Sequence, residues 1–244
     1  MINGKIAFVQ GGSRGIGAAI AKRLAQDGAT VVLSYSSSPD KAAQVVAEIE
    51  AAGGKAQAVQ ADSANASALS AAIRDAAGQH GRIDILVNNA GVLAMGALNE
   101  FTLEDFDRTL AVNVRSVFVA TQEAARHMPD GGRVITIGST NAERMPFAGG
   151  AAYAMSKAAL VGLTKGLARD LGPRGITVNN LQPGPVDTDM NPDGSDFSAA
   201  LKGLMALPRY GKVEEIASFA SYLAGPEAGY VTGASLTADG GFSA

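Results

Sequence analysis

The stretch Lys5-Ile6-Ala7-Phe8-Val9-Gln10-Gly11-Gly12-Ser13-Arg14-Gly15-Ile16-Gly17 decides the fold. Lys5–Val9 is a brief run, apolar on both faces, of the kind a parallel sheet buries between two layers of helices. Glycines follow at once, and a helical pattern opens at Gly15 and continues to Gln26. Glycine here permits a tight turn, lets the backbone approach a pyrophosphate closely and lets the helix pack against the strand. The free N–H groups and positive end of that helix attract phosphate. The expectation is a nucleotide-binding turn made by Gly11, Ser13, Arg14, Gly15, Ile16 and Gly17, with a ligand-free βα turn as the alternative.

Short runs rich in valine and isoleucine recur at Thr30–Ser34, Ala56–Gln60, Ile83–Asn88, Arg133–Gly138 and Thr177–Leu181, with a last strand near Ser235–Thr237. Each predicts a strand buried on both faces. Helical patterns lie between them, at Lys41–Ala52, Ala66–Gln79, Leu103–Met128 (as one helix or two), Ala151–Leu171 and Val213–Leu223. Gly28, Gly53 and Gly172 supply stops. This alternation predicts an α/β fold, a doubly wound, Rossmann-like parallel sheet of about seven strands with helices on both faces. Only Pro183–Tyr210 breaks the rhythm, and a loop that long is commonly functional or mobile. No repeat or linker divides the chain, so residues 1–244 are expected to form one domain.

Hydrophobic residues make up 47% of the 244, enough for a sizeable core. Lysine and arginine total 20 against 23 aspartates and glutamates. That balance leaves no basic excess to hold nucleic acid or an anionic membrane surface. No apolar run reaches the roughly 18 residues of a membrane span, and Met1-Ile2-Asn3-Gly4-Lys5 leads straight into a strand, so a cytoplasmic location is expected. Cysteine is absent, which excludes disulfides and thiolate chemistry. His80 and His127 offer no metal-ligand spacing, and no metal is expected. The chemistry must use hydroxyls, lysine, carboxylates or a cofactor.

The second strand runs into Ser34-Tyr35-Ser36-Ser37-Ser38. A cofactor with a free ribose 2′-OH usually meets an acidic residue at such a strand end, and none occurs before Asp40. The hydroxyls of Tyr35 and Ser36, with Arg14 in the turn, favour NADP(H) over NAD(H). The alternative for Arg14 is a solvated loop charge.

Tyr153 and Lys157 stand four residues apart on one face of a predicted helix. A phenol, with pKa near 10, is a poor acid at neutral pH. An ammonium ~4 Å away, at an effective dielectric of ~20, is worth about 4 kcal/mol, or roughly 3 pKa units. The pair is therefore expected to act as a general acid tuned towards neutrality. By itself the spacing arises often by chance, and a surface tyrosine over a lysine stem is the alternative.

Together these features resemble the classical short-chain dehydrogenase/reductase family, over essentially the whole chain. Gly11, Gly15 and Gly17 fall in register with its glycine turn, and Asn88-Asn89-Ala90-Gly91 reproduces its motif after strand four. Asn113, Ser139, Tyr153 and Lys157 match its catalytic positions, and Pro183-Gly184 with Thr188 its cofactor-side motif. The resemblance implies an NAD(P)-dependent oxidoreductase that moves hydride between nicotinamide and a ketone or aldehyde. Tyr153 would donate the proton and Ser139 would hydrogen-bond the reacting oxygen. Lys157 would lower the tyrosine pKa and bind ribose hydroxyls, and Asn113 would hold a water that links Lys157 to solvent. Asp62 and Ser63 would meet the adenine, with a helix cap as the alternative for Asp62. Asn89, Ala90 and Gly91 would line the ribose side, and Val186 and Thr188 would contact the carboxamide. Thr140 could share the contact made by Ser139. Gln10 replaces the family's usual threonine, which puts local stability in doubt rather than chemistry.

A substrate lid is expected at about 190–210. Met190, Phe197, Leu201, Leu204 and Met205, with Met95, supply apolar surface and favour a hydrophobic ketone or aldehyde. The partner is then a small carbonyl or alcohol. The helices Leu103–Met128 and Ala151–Leu171 imply a homotetramer, or a dimer. Two other functions are weighed. One is 3-oxoacyl-acyl-carrier-protein reduction, for which the run His127–Arg133 is not strongly basic. The other is cyclic-di-GMP binding, since Gly138–Pro146 and Leu171–Pro192 resemble a bacterial branch with that property, and Arg144 could pair with a phosphate.

Overall fold

Alternate side chains of β1 (Ile6–Gln10) enter two separate apolar layers, and this makes β1 an interior strand of the sheet. Ala7 and Val9 face α1 (Gly15–Gln26), α2 (Pro39–Ala51) and α8 (Val213–Ala224). Phe8 faces α3 (Ala66–His80), α5 (Ser116–His127) and α6 (Ala151–Leu171). Each fully buried Leu, Ile or Phe in these layers contributes about 1.5–3 kcal/mol of transfer free energy. The computed structural model describes residues 2–244, and Met1 lies outside them.

Among the described residues the remaining strands are β2 (Thr30–Tyr35), β3 (Lys55–Gln60), β4 (Ile85–Asn88), β5 (Arg133–Ile137), β6 (Thr177–Pro183) and β7 (Ser235–Ala238). They form one all-parallel sheet in the order β3-β2-β1-β4-β5-β6-β7, as the β-α rhythm implies. The order reverses between β1 and β4, and a crevice opens there at the carboxyl ends of the strands. Gln10 is in register with Asn88, so the loops that leave these two strands run side by side. No helix among the described residues is long and apolar enough to cross a membrane.

Two expectations change, and one open choice is decided. β3 is half exposed rather than buried on both faces, because it is an edge strand. β4 starts at Ile85, since the buried Asp84 turns its carboxylate to Ile6 N (2.9 Å), Lys5 Nζ (3.1 Å) and Arg82 Nε (2.9 Å). The long helical pattern after Leu103 splits into α4 (Leu103–Leu110) and α5, joined by a π-type stretch, Ala111–Arg115. Such widened turns are rare and concentrate at functional sites. The irregular segment after β6 also contains a helix, α7 (Asp196–Lys202), started by a capping box at Ser195.

Candidate active site

The glycine turn is fixed by close approach. Gly11 has φ +68°, and a Cβ on it would lie 3.0 Å from Ala90 Cα. A Cβ on Gly17 would collide with Asn89 Nδ2 and Gly11 O, each at 2.3 Å. Asn89 Nδ2 itself donates to Gly11 O at 2.8 Å, tying the turn to the loop after β4. Gly12 N donates to Ser34 O at 2.9 Å, and Gly11 N to Ser34 Oγ at 3.1 Å, which ties it to β2 as well. α1 then begins with no side-chain cap and no acidic residue in its first turn. Its N–H groups and positive end are left for an anion from outside the helix.

One cleft of about 510 Å³ gathers the residues singled out in the sequence. Gly11, Ser13, Arg14, Gly15, Ile16 and Gly17 form one end, with Tyr35, Ser36, Asp62 and Ser63 beside them. Asn89, Ala90 and Gly91 line the middle; Pro183, Gly184, Val186 and Thr188 face them from the end of β6. Ser139, Tyr153 and Lys157 stand on the wall. Asp62 does not cap α3: Asn65 does, accepting from Ala68 N at 3.1 Å, while Asp62 Oδ1 accepts from Ala64 N at 3.0 Å.

Asn113 lies behind this wall. Its Oδ1 accepts from Val92 N at 2.9 Å, and its Nδ2 donates to Val92 O and Ser156 Oγ, both at 3.0 Å. Its carboxamide thus clamps the loop after β4 against α6. A Cβ on Gly91 would sit 3.6 Å from both Asn113 Oδ1 and Lys157 Nζ, so the missing side chain brings these groups close to the cleft. Thr140 lines the cleft beside Ser139, with its hydroxyl donating to Pro183 O at 3.3 Å.

Lys157 does not bring the Tyr153 pKa down on balance, because burial acts on both groups more strongly. Lys157 Nζ is 5.8 Å from the centre of the Tyr153 ring and donates to Ile137 O at 3.0 Å. Burial pushes the Tyr153 pKa up, and the neighbouring Ser139 hydroxyl only opposes that shift. Burial lowers Lys157 to about 8. Desolvation favours the neutral form of each group and is the largest effect on both.

Met95, Met190, Phe197 and Leu201 line the cleft as expected. Leu204 and Met205 do not; they pack with Tyr210 and Phe242 beneath α7. Met145, Phe147 and Phe242 also line it, without having stood out in the sequence. Phe147 meets Phe197 with ring centres 5.2 Å apart, joining α7 to the loop before α6. A proline, a phenylalanine and glycines crowded into Arg144–Gly150 were the available signal for Phe147. Phe242 had none, because only the return of the chain through β7 brings it here. Arg144 donates to Phe242 O and stacks its guanidinium 5.4 Å from that ring, which ties it to the end of the chain.

A doubly wound sheet with this turn at its switch point, and a hydroxyl, a phenol and an amine across from it, defines a nucleotide-dependent oxidoreductase. The chain belongs to the classical short-chain dehydrogenase/reductase family, whose members are NAD(P)-dependent. A family model described as enoyl-(acyl carrier protein) reductase matches residues 11–243. A short-chain dehydrogenase/reductase from Serratia marcescens is 67% identical, superimposes with a TM-score of 0.98 and is covered over 99% of its length by 100% of this chain. A blue fluorescent protein from a metagenomic library, solved in complex with NADPH, is 55% identical with a TM-score of 0.98, covering 100% of this chain and 99% of its own. The cyclic-di-GMP-binding biofilm dispersal mediator protein of Escherichia coli K12 is 48% identical, over 99% of this chain and 98% of its own.

Proposed function

We propose that the chain is an NADP(H)-dependent carbonyl reductase, interconverting an apolar ketone or aldehyde and its alcohol. The observation that carries this reading is the meeting of Ser139, Tyr153 and Lys157 in the same cleft as the uncapped start of α1. The residues present suit a dinucleotide: the glycines of the turn leave room for a pyrophosphate, and Arg14 stands exposed on the cleft wall with hydroxyls nearby. Relatives solved with NADPH support the phosphorylated cofactor. When bound, the nicotinamide supplies the hydride that reduces the carbonyl carbon.

The side chains handle the oxygen. Tyr153 is held as a neutral phenol by burial, so it has a proton to donate as negative charge develops. Ser139 donates a hydrogen bond to the same oxygen. Lys157, protonated at neutral pH, stabilises the phenolate left behind. In the oxidative direction that phenolate is the base. Asn113 acts at one remove, by positioning the loop that carries Gly91 and Val92.

Residues 190–210 form the substrate lid in this reading, and the contact between Phe147 and Phe197 is its latch. Methionine and aromatic side chains around it suit an apolar substrate. Leu103, Phe118 and Met155, exposed on α4, α5 and α6, suit burial between subunits of a homotetramer. The test is oxidation of NADPH and of NADH by a panel of apolar and charged ketones. Turnover with NADPH and apolar ketones is expected; turnover with no carbonyl compound overturns the reading. The Escherichia coli relative suggests cyclic-di-GMP binding as a second role, which titration calorimetry with that dinucleotide would reveal.

A further inference from the structure

Beside the end of the cleft where β2 finishes, Arg14, Lys41 and Asp189, from three parts of the chain, line a neighbouring hollow, which Arg14 and Asp189 share with the cleft itself. Arg14 lies exposed on the cleft wall, and its side chain makes no cap to α1. Asp189, next to Thr188, lines the same cleft. Lys41, in the first turn of α2, reaches across 148 residues of sequence to place Nζ 2.7 Å from Asp189 Oδ2. The Asp189 carboxyl is held below its usual range, first by the hydrogen bond and charge of Lys41 and then by the charge of Arg14.

We propose that Asp189 is a built-in anion that competes with the cofactor 2′-phosphate for Lys41 and Arg14, and that this exchange sets the preference between NADP(H) and NAD(H). The inference rests on the reading of the cleft as an NADP(H) site and adds a residue that opposes, rather than makes, the phosphate contact. Both ends of the Lys41–Asp189 pair are more than half exposed. Such pairs are held weakly and open at little cost. A phosphate monoester carries roughly −1.5 to −2 charge near pH 7 and three acceptor oxygens, so it displaces a single carboxylate from Lys41. A cofactor without that phosphate leaves the pair closed.

The test is titration calorimetry of NADPH and NADH, at low salt, with the native protein, Asp189→Asn and Lys41→Gln. Native protein is expected to bind NADPH more tightly than NADH. Asp189→Asn frees both cations and should tighten NADPH about threefold to tenfold, leaving NADH within about twofold. Lys41→Gln should weaken NADPH by a comparable factor, again sparing NADH. A native preference for NADH would overturn the cofactor reading itself. If NADPH is preferred but Asp189→Asn moves both cofactors equally or neither, the competition proposed for Asp189 fails alone.

Discussion

Lys157 Nζ stands 5.8 Å from the centre of the Tyr153 ring and gives its hydrogen bond to the Ile137 carbonyl instead. The lysine is the group whose charge changes near neutrality, because burial brings it to about 8, while burial moves the tyrosine away from that range. The kcat/KM for carbonyl reduction should therefore be level near pH 7 and fall above pH about 8. Lys157→Arg, which keeps its charge, should remove this alkaline limb. A pH profile of both proteins checks this; a limb that persists in Lys157→Arg would assign it to another group.

The same lysine should cost stability. Below pH about 8 its ammonium is buried without a carboxylate, a penalty of about 3 kcal/mol for a shift from 10.5 to about 8. Between these values the unfolded chain holds a proton that the folded chain has released, so stability from this group rises with pH. Lys157→Met should abolish turnover yet raise stability at pH 7 by about 1–2 kcal/mol, after the lost hydrogen bond to Ile137 is counted. It should also flatten the pH dependence between 8 and 10.5. Denaturant melts at several pH values test both.

Asn113→Ala removes all three contacts of the clamp and leaves Val92 N–H and C=O without their partner. A loss of about 2–4 kcal/mol of stability is expected, with lower kcat from the misplaced loop after β4. Thermal melting with steady-state kinetics would show the two effects together.

Gln10 is fully buried, and neither side-chain polar atom has a hydrogen-bond partner among the described residues. Its neighbour in register, Asn88, turns its Nδ2 to Thr121 Oγ1 at 3.2 Å instead. Gln10→Met, close in volume, should raise stability by about 1–3 kcal/mol without changing kcat. A rise in denaturant midpoint at constant m is the expected reading.

How far the sequence reveals all this depends on how locally each feature is encoded. β1, the glycine turn and α1 are adjacent in the chain, so their residue types alone define the phosphate end of the cleft. Tyr153 and Lys157 share one helix, and their common face follows from the helical repeat. Their pKa shifts do not, because those depend on how deeply α6 is buried and where Lys157 Nζ finds an acceptor. β3 read as buried because its apolar content does not reveal its place at the sheet edge. Phe242 and Asp189 were silent for a related reason: their neighbours, Arg144 and Lys41, are distant in sequence. The clamp made by Asn113 was silent because its partner is backbone, at Val92, which leaves no trace in residue type.

Tyr153 is the proton donor on which NADPH-dependent carbonyl reduction depends in this reading. Its test is single-turnover NADPH oxidation by an apolar ketone, comparing the native protein with Tyr153→Phe under saturating cofactor. Native turnover and a loss of roughly 10²–10⁴-fold in the variant, with NADPH affinity retained, is the expected result. Equal rates in the two proteins would contradict it.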